Sequence, residues 1–296
     1  MKKPVFTGVC TAIVTPFSPD GSIDYALFSQ QLEGQIAAGI DAVCVCGTTG
    51  ESATLQHEEQ ISLIDFAVQH VAGRCRVIAG TGSNDTATSL LLSQCAAKSN
   101  VDALLIVSPY YNKTTQKGLI RHYTHITDRV DCPVILYNVP SRTGLSFTAE
   151  TYQILSQHEN INGVKEASGD FSLIAKTAAL CGDSLNIWSG NDDQIVPMMA
   201  LGAKGVISVA SNICPKAIKK LTAAYLSGDI SKATAAQLHY MPLVEALFSE
   251  VNPIPIKAAM EHLGLDSGYL RLPLCPMERE KREVLCAMLD DYLPEV

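Results

Sequence analysis

One stretch of the chain has the makings of carbonyl chemistry. Asn162-Gly163-Val164-Lys165-Glu166-Ala167-Ser168 is a short apolar run that turns polar, with a lysine near its end. Val164 and the residues before it predict a buried strand, which places the lysine head where water is scarce. Burial disfavours the charged form of an amine, and a neutral lysine amine attacks carbonyl carbon to form an imine. Glu166 follows directly, but neighbours along a strand point to opposite faces, so its carboxylate diverges from the amine. Taken alone, Lys165 fits the commoner case of a strand-end lysine with a buried stem and a solvated head. The choice between the two rests on what the fold gathers around it.

The elements that must position it alternate along the chain. A strand-like run over 8–15 ends at Pro16-Phe17, and Pro19-Asp20-Gly21 marks a turn. Asp24 is a helix N-cap, with Leu27, Leu32, Ile36 and Ala37 as the inward stripe before Gly39. A strand over 42–46 runs into Gly47-Thr48-Thr49-Gly50-Glu51-Ser52, and a helix over 58–71 turns Ile61, Ile64, Phe66 and Val68 inward. Further strands over 76–79, 103–107, 133–136, 185–188 and 205–209 flank the lysine strand. Helices over 86–98, 116–129, 148–157 and 171–180 lie between them. The strands are apolar throughout, as burial on both faces requires, and this alternation predicts an α/β fold, a (β/α)8 barrel. A doubly wound sheet would want GxGxxG after an early strand, and Gly80-Thr81-Gly82-Ser83-Asn84-Asp85 stops short of it. Residues 1–212 are read as the barrel through its eighth strand. Residues 213–296 are read as the last barrel helix and a helical extension, with helices near 231–248, 253–263 and 277–293.

In a barrel the carboxyl ends of all strands meet at one mouth. Thr48, Thr49, Tyr110, Tyr111, Tyr137, Arg142, Lys165 and Gly190 all follow such ends and are predicted to face one cavity. Each alone has an ordinary structural explanation; their convergence does not. The Gly47-Thr48-Thr49-Gly50-Glu51 turn lacks the Lys-Ser/Thr ending of a P-loop, but backbone N–H groups bracketed by glycines can hold a small carboxylate.

Composition narrows the function classes. The formal charge of −8 and pI near 5.3 leave no basic face for nucleic acid or anionic membrane. No apolar run is long enough to span a bilayer, and Met1-Lys2-Lys3-Pro4 leads into no signal-like core, so a cytoplasmic protein is expected. Ten cysteines without a CxxC pair read as small buried hydrophobes. Cys44 and Cys46 are expected on one strand face, and His122 and His125 on one solvated helix face, neither pair with the further ligands a metal needs. Neither a metal nor a cofactor is expected.

Five segments together resemble the dihydrodipicolinate synthases, within the pyruvate-dependent Schiff-base aldolases that include N-acetylneuraminate lyase. They are Gly8-Val9 through Thr15-Pro16-Phe17, Gly47 to Ser52, Ser108-Pro109-Tyr110-Tyr111-Asn112, Tyr137 to Gly144 with Pro140-Ser141-Arg142-Thr143-Gly144, and Gly163-Val164-Lys165-Glu166. The resemblance covers essentially the whole chain, and Arg142 is the feature that sugar-acid aldolases tend to lack. It implies condensation of pyruvate with L-aspartate 4-semialdehyde through an imine on Lys165. Tyr137 would be the acid/base, joined through Thr48 to Tyr111 of a neighbouring subunit. Thr48 and Thr49 amides would hold the pyruvate carboxylate, Arg142 that of the semialdehyde, and the carbonyls of Gly190 and Ile207 would lie near the lysine. A homotetramer built as a dimer of dimers is implied as well. Ser52, Ala53, His57, Asn84 and Tyr110 map to the inhibitory lysine site of the family. A second histidine of that site falls at Gln60, and the glutamate that meets the ligand's ammonium falls at Thr88, with Asp85 as a nearby acid. A sister aldolase acting on a sugar acid and a non-catalytic keto-acid-binding barrel are the alternatives.

Overall fold

Because side chains alternate along a strand, one set of short apolar runs supplies two packed layers. The computed structural model describes residues 2–292. Its strands are β1 (Gly8–Ala12), β2 (Ala42–Val45), β3 (Arg76–Gly80), β4 (Ala103–Val107), β5 (Val134–Asn138), β6 (Ile161–Glu166), β7 (Asn186–Ser189) and β8 (Gly205–Ser208). They pair in parallel in chain order, and β8 pairs with β1 to close the barrel. Cys10, Cys44, Ile78, Leu105, Ile135, Trp188 and Ile207 pack together as the interior. Their strand neighbours Val9, Val43, Val77, Leu104, Leu136, Ile187 and Val206, with Val164 of β6, pack instead in the layer beneath the helices. The expected (β/α)8 barrel is the fold.

The helices are α1 (Tyr25–Ala37), α2 (His57–Val71), α3 (Thr86–Lys98), α4 (Gln116–Thr127), α5 (Pro140–Thr143), α6 (Ala149–Leu155), α7 (Phe171–Cys181), α8 (Ile195–Ala200), α9 (Pro215–Leu226), α10 (Ile230–Leu247), α11 (Ile254–His262) and α12 (Arg279–Tyr292). Asp24, Asp85, Thr115, Thr148, Asp170 and Asp229 each accept an N–H of the first turn that follows, which fixes where those helices begin. α9 packs on β1, and α10, α11 and α12 pack on one another beyond it. Among the described residues no helix is long and apolar enough to cross a membrane. Residue 293, placed in the last helix by its sequence, lies outside the described residues.

Several expectations need correction, each for a local physical reason. β1 ends at Ala12, because Val14 N–H donates to Asn212 Oδ1 and the Thr15 hydroxyl donates to Gly50 O. The inward line of α1 is Phe28, Gln31, Leu32 and Gln35, with Leu27 and Ile36 half-buried and Ala37 exposed. Two glutamines sit inside because both are partnered: the Thr11 hydroxyl donates to Gln35 Oε1 at 2.7 Å, and Gln31 Nε2 donates to Leu265 O at 3.0 Å. Likewise α2 buries Gln60, Leu63, Ile64, Ala67 and Val71, leaving Ile61, Phe66 and Val68 half-buried. Cys44 and Cys46 do not share a face. Cys46 lies past the end of β2 with φ 56° and packs in the outer layer, its thiol reaching Gln60 O, while Cys44 faces the interior.

His122 is not solvated either; it is buried while His125 is exposed. Its Nδ1 lies 2.9 Å from the Thr86 hydroxyl, its ring meets Tyr123 edge-on, and its Nε2 has no partner. Burial, and then the charge of His125, push its pKa down to about 4, with Asp85 opposing. The unfolded chain takes up this proton near the ordinary value of about 6.5, so the folded state loses stability as pH falls from there toward 4. One such group accounts for about 3 kcal/mol over that range. Thermal melts from pH 7 to 4 should show His122→Asn losing less stability on acidification than the unaltered protein. Parallel curves would refute it.

Candidate active site

On β6 the residues Gly163 and Lys165 face the interior while Val164 and Glu166 face the helices, as the divergence of Lys165 and Glu166 required. The two inward positions have opposite demands. A Cβ at Gly163 would come 2.5 Å from Trp188 Cζ3, so glycine there lets the indole fill the barrel beneath the lysine. Lys165 is 5% exposed and stands in register between Tyr137 of β5 and Trp188 of β7. Its Nζ lies 4.4 Å from the centroid of the Tyr137 ring, and among the described residues it makes no hydrogen bond or ion pair. Gly190 follows β7; a Cβ there would sit 3.1 Å from Lys165 Cε and 2.7 Å from Ala167 Cβ, so glycine keeps the lysine arm's space open.

Glu166 turns away into a donor set of its own. It accepts from Asn138 Nδ2 at 3.0 Å, Tyr152 OH at 2.8 Å and Ser168 N–H at 2.9 Å. Burial pushes its carboxyl above the ordinary range against these donors, Ser168 foremost. The network pins the strand end that carries Lys165. Inside the barrel, burial raises the Cys44 thiol to about 11 and that of Cys10 well above its usual value, so neither is a thiolate at neutral pH. Asp192 beyond β7 is also held up by burial, opposed by Ser208, the N–H groups of Ala210 and Val209, and Lys165.

The turn after β2 is shaped from its ends. Cys46 and Glu51 both take positive φ, and Glu51 N–H donates to Thr48 O at 3.1 Å. Among the described residues the N–H groups of Thr48 and Thr49 have no hydrogen-bond partner, which leaves two donors at the mouth. The Glu51 side chain turns fully inside to Lys257 of α11. Lys257 Nζ donates to Glu51 Oε1 at 2.9 Å, Thr15 O at 2.9 Å and Tyr269 O at 2.5 Å, matching all three ammonium protons. Burial pushes the Glu51 carboxyl up and Lys257 draws it back down.

Not all of the predicted cluster meets in one space. A cavity of 380 Å³ is lined by Thr48, Tyr110 and Arg142 together with Ser52, Ala53 and His57, and also by Gln60 and Thr88. Lys165, Tyr137 and Thr49 are buried and do not line it, and Ile207 faces the interior from β8. Asn84 is not part of the lining; its carbonyl accepts from Asn112 Nδ2. Tyr111, expected at the same mouth, is 93% exposed with φ 67° and projects away from the chain. Within one chain no hydrogen bond joins Thr48, Tyr137 and Tyr111. Arg142 sits on the one-turn helix α5, started by Pro140, and its Nη2 donates to Asn252 O at 2.9 Å.

Asn252, Lys257 and Glu51 went unread in the sequence as parts of the site. Lys257 gives the same signal as Lys165, a lysine inside the apolar run Ile254-Pro255-Ile256-Lys257-Ala258-Ala259-Met260. Geometry separates them: one has three acceptors, the other none.

A parallel barrel whose mouth shelters an unpaired lysine beside a tyrosine and uncommitted amides is of the class equipped to bind and activate small carbonyl compounds. Within that class the assignment is specific, since the model of the dihydrodipicolinate synthetase family matches residues 5–292 and the chain belongs to that family. A 4-hydroxy-tetrahydrodipicolinate synthase of Thermoanaerobacter sp. is 52% identical over 98% of this chain and 97% of its own length. The crystal structure of dihydrodipicolinate synthase from Aquifex aeolicus superposes with a TM-score of 0.96 at 42% identity, covering 98% of this chain and 99% of that one. The enzyme from Acinetobacter baumannii, solved with pyruvate, matches at 38% identity and a TM-score of 0.95, covering 98% and 99%.

Removing Lys257 would strand Glu51 in the interior. Lys257→Met should lower the unfolding free energy by about 3–5 kcal/mol in urea titrations. Adding Glu51→Gln should restore part of the loss, because the uncompensated charge is gone. A single variant as stable as the unaltered protein would show that the pair does not hold the turn.

Proposed function

We propose that Lys165 carries out the reaction as an imine-forming nucleophile, the observation that supports this being its burial without a partner while Lys257 is fully satisfied. The activity is that of a lyase of lysine and diaminopimelate biosynthesis: pyruvate condenses with L-aspartate 4-semialdehyde to give 4-hydroxy-tetrahydrodipicolinate. The amine attacks the keto carbon and water leaves, giving a protonated imine that acts as an electron sink. Loss of a methyl proton gives an enamine, whose carbon attacks the aldehyde. The amine of the semialdehyde then adds to the imine carbon and displaces Lys165.

Tyr137, whose ring lies under the amine, is suited to move the protons. The N–H groups of Thr48 and Thr49 hold the pyruvate carboxylate, and the Arg142 guanidinium meets the carboxylate of the semialdehyde. Carbonyls at Gly190 and Ile207 flank the imine. Tyr111 reaches a neighbouring subunit and completes a hydroxyl relay there through Thr48 to Tyr137, in a homotetramer assembled as a dimer of dimers; its exposure and outward projection support this. The acidic surface and free cysteines fit a cytoplasmic setting.

Borohydride with pyruvate should leave a permanent adduct on Lys165, located by peptide mapping, and Lys165→Arg should abolish it, since arginine stays protonated. Arg142→Ala should trap pyruvate normally yet lose roughly tenfold to a hundredfold in use of the semialdehyde. Tyr111→Phe should trap pyruvate while turning over more slowly. An adduct on a different lysine would sink the mechanism, a monomer with full activity the relay.

The family's lysine-binding positions are only partly equipped. Gln60 Nε2 is taken by Ser52 O and Leu55 O. Thr88 donates its hydroxyl to Asp85 Oδ2 at 2.7 Å, and that carboxylate also caps α3 and faces a different groove, so Asp85 does not replace the absent glutamate. Glu51 lines the cavity but is tied to Lys257. With no free carboxylate lining the cavity among the described residues, L-lysine should inhibit roughly tenfold to a hundredfold more weakly than in a chain carrying that acid. Titration at saturating pyruvate, beside Thr88→Glu, measures it; strong inhibition at sub-millimolar lysine without the substitution would contradict it.

A further inference from the structure

Asn252 joins the two ends of the site from a remote part of the chain. It precedes Pro253 and α11 in the C-terminal extension and is 6% exposed. Its Nδ2 donates to Thr49 Oγ1 at 3.0 Å, 203 residues away in sequence. Its own carbonyl accepts from Arg142 Nη2 at 2.9 Å, 110 residues away. The side chain is not a helix cap, because α11 has no side-chain cap. Its Oδ1 is buried with no partner. A buried amide left with an unused acceptor is costly, and an apolar residue of similar volume would fill the space without that cost. The helix start therefore does not account for an asparagine here, whereas the bond to Thr49 does.

We infer that Asn252 is a positioning residue that holds the Thr49 turn and the Arg142 guanidinium at a fixed separation, and so sets pyruvate and the semialdehyde at the distance their carbon–carbon bond requires. The inference rests on the reading of Thr49 and Arg142 as the two carboxylate anchors. Lys257 anchors the turn through Glu51, but Asn252 is the residue that bonds both the Thr49 hydroxyl and the Arg142 guanidinium. The Thr48–Thr49 amides lie on a turn with two positive-φ residues, and Arg142 is a long side chain on a single helical turn. Loss of one such bond displaces an anchor without removing it, so the effect appears in substrate affinity ahead of the chemical step.

The test is a double-mutant cycle on the full-length enzyme with Asn252→Ala, Thr49→Val and the pair, reading both KM values, kcat, pyruvate-dependent borohydride trapping on Lys165, and Tm. Asn252→Ala should raise the KM for pyruvate roughly threefold to tenfold, the size of one neutral hydrogen bond, and raise that for the semialdehyde less, because the backbone carbonyl that meets Arg142 survives the change, with kcat reduced less than threefold. Thr49→Val, which leaves the extension untouched and serves even if Asn252→Ala folds poorly, should reproduce the pyruvate effect. The pair should add little to either single change. Asn252→Gln, which keeps the amide donor on a longer arm, should recover part of the affinity. Additive effects, or a lower Tm and kcat with both KM values unchanged, would overturn the inference and leave Asn252 a packing residue. Absence of trapping on Lys165 in the unaltered enzyme would instead overturn the imine reading on which it stands.

Discussion

The buried contact between Lys257 and Glu51 is the constraint on which the site depends. Both side chains are wholly removed from solvent, a situation that is tolerable only when every donor is matched. Lys257 achieves this by drawing together three distant pieces of chain: the loop after β1 at Thr15, the turn after β2 at Glu51, and the segment carrying Tyr269. The ring of Phe17 lies 4.6 Å from its Nζ and stacks the Arg271 guanidinium as well. Arg271 in turn donates to Gly21 O, Thr54 O and Glu59. The C-terminal extension thus acts as a clasp across the first two loops of the barrel mouth. It fixes the turn whose Thr48 and Thr49 N–H groups have no partner among the described residues.

Against that fixed rim, the lysine of β6 is free. Its position follows from strand register, with Tyr137 and Trp188 on either side, and from two glycines, Gly163 below and Gly190 beside it. Satisfying Glu166 on the opposite face through Asn138, Tyr152 and Ser168 keeps the carboxylate next to it in sequence from reaching the amine. An amine that is buried, unpaired and over a ring face has little to lose by reacting. Its counterpart in α11, buried more deeply still, would have to break three hydrogen bonds first.

Much of this was written in the sequence. Strands apolar throughout, broken by polar turns after each, require burial on both faces and so a parallel sheet, and eight of them without a GxGxxG turn point to a barrel, whose carboxyl ends converge whatever the details of packing. Lys165 near the end of such a strand, diverging from Glu166, follows from the two-residue period alone. The family signature in Gly47 to Ser52, around Tyr137 and around Lys165 is equally local, because each is a contiguous run of residues.

What the sequence could not decide are the matters settled by partners far apart in the chain. Gln31 and Gln35 face inward because Leu265 O and Thr11 are there to meet them, and hydrophobic periodicity has no means of knowing it. His122 is buried by its packing against α3, and Cys46 leaves the face of Cys44 because the chain takes a positive φ at the end of β2. Lys165 and Lys257 carry the same sequence signal, a lysine in an apolar run, and only the tertiary structure separates a bare amine from a fully bonded one. Asn252 is the clearest case. Its hydrogen bonds reach 203 and 110 residues back along the chain, and distances of that kind exist only once the barrel has closed and the extension has folded over its mouth.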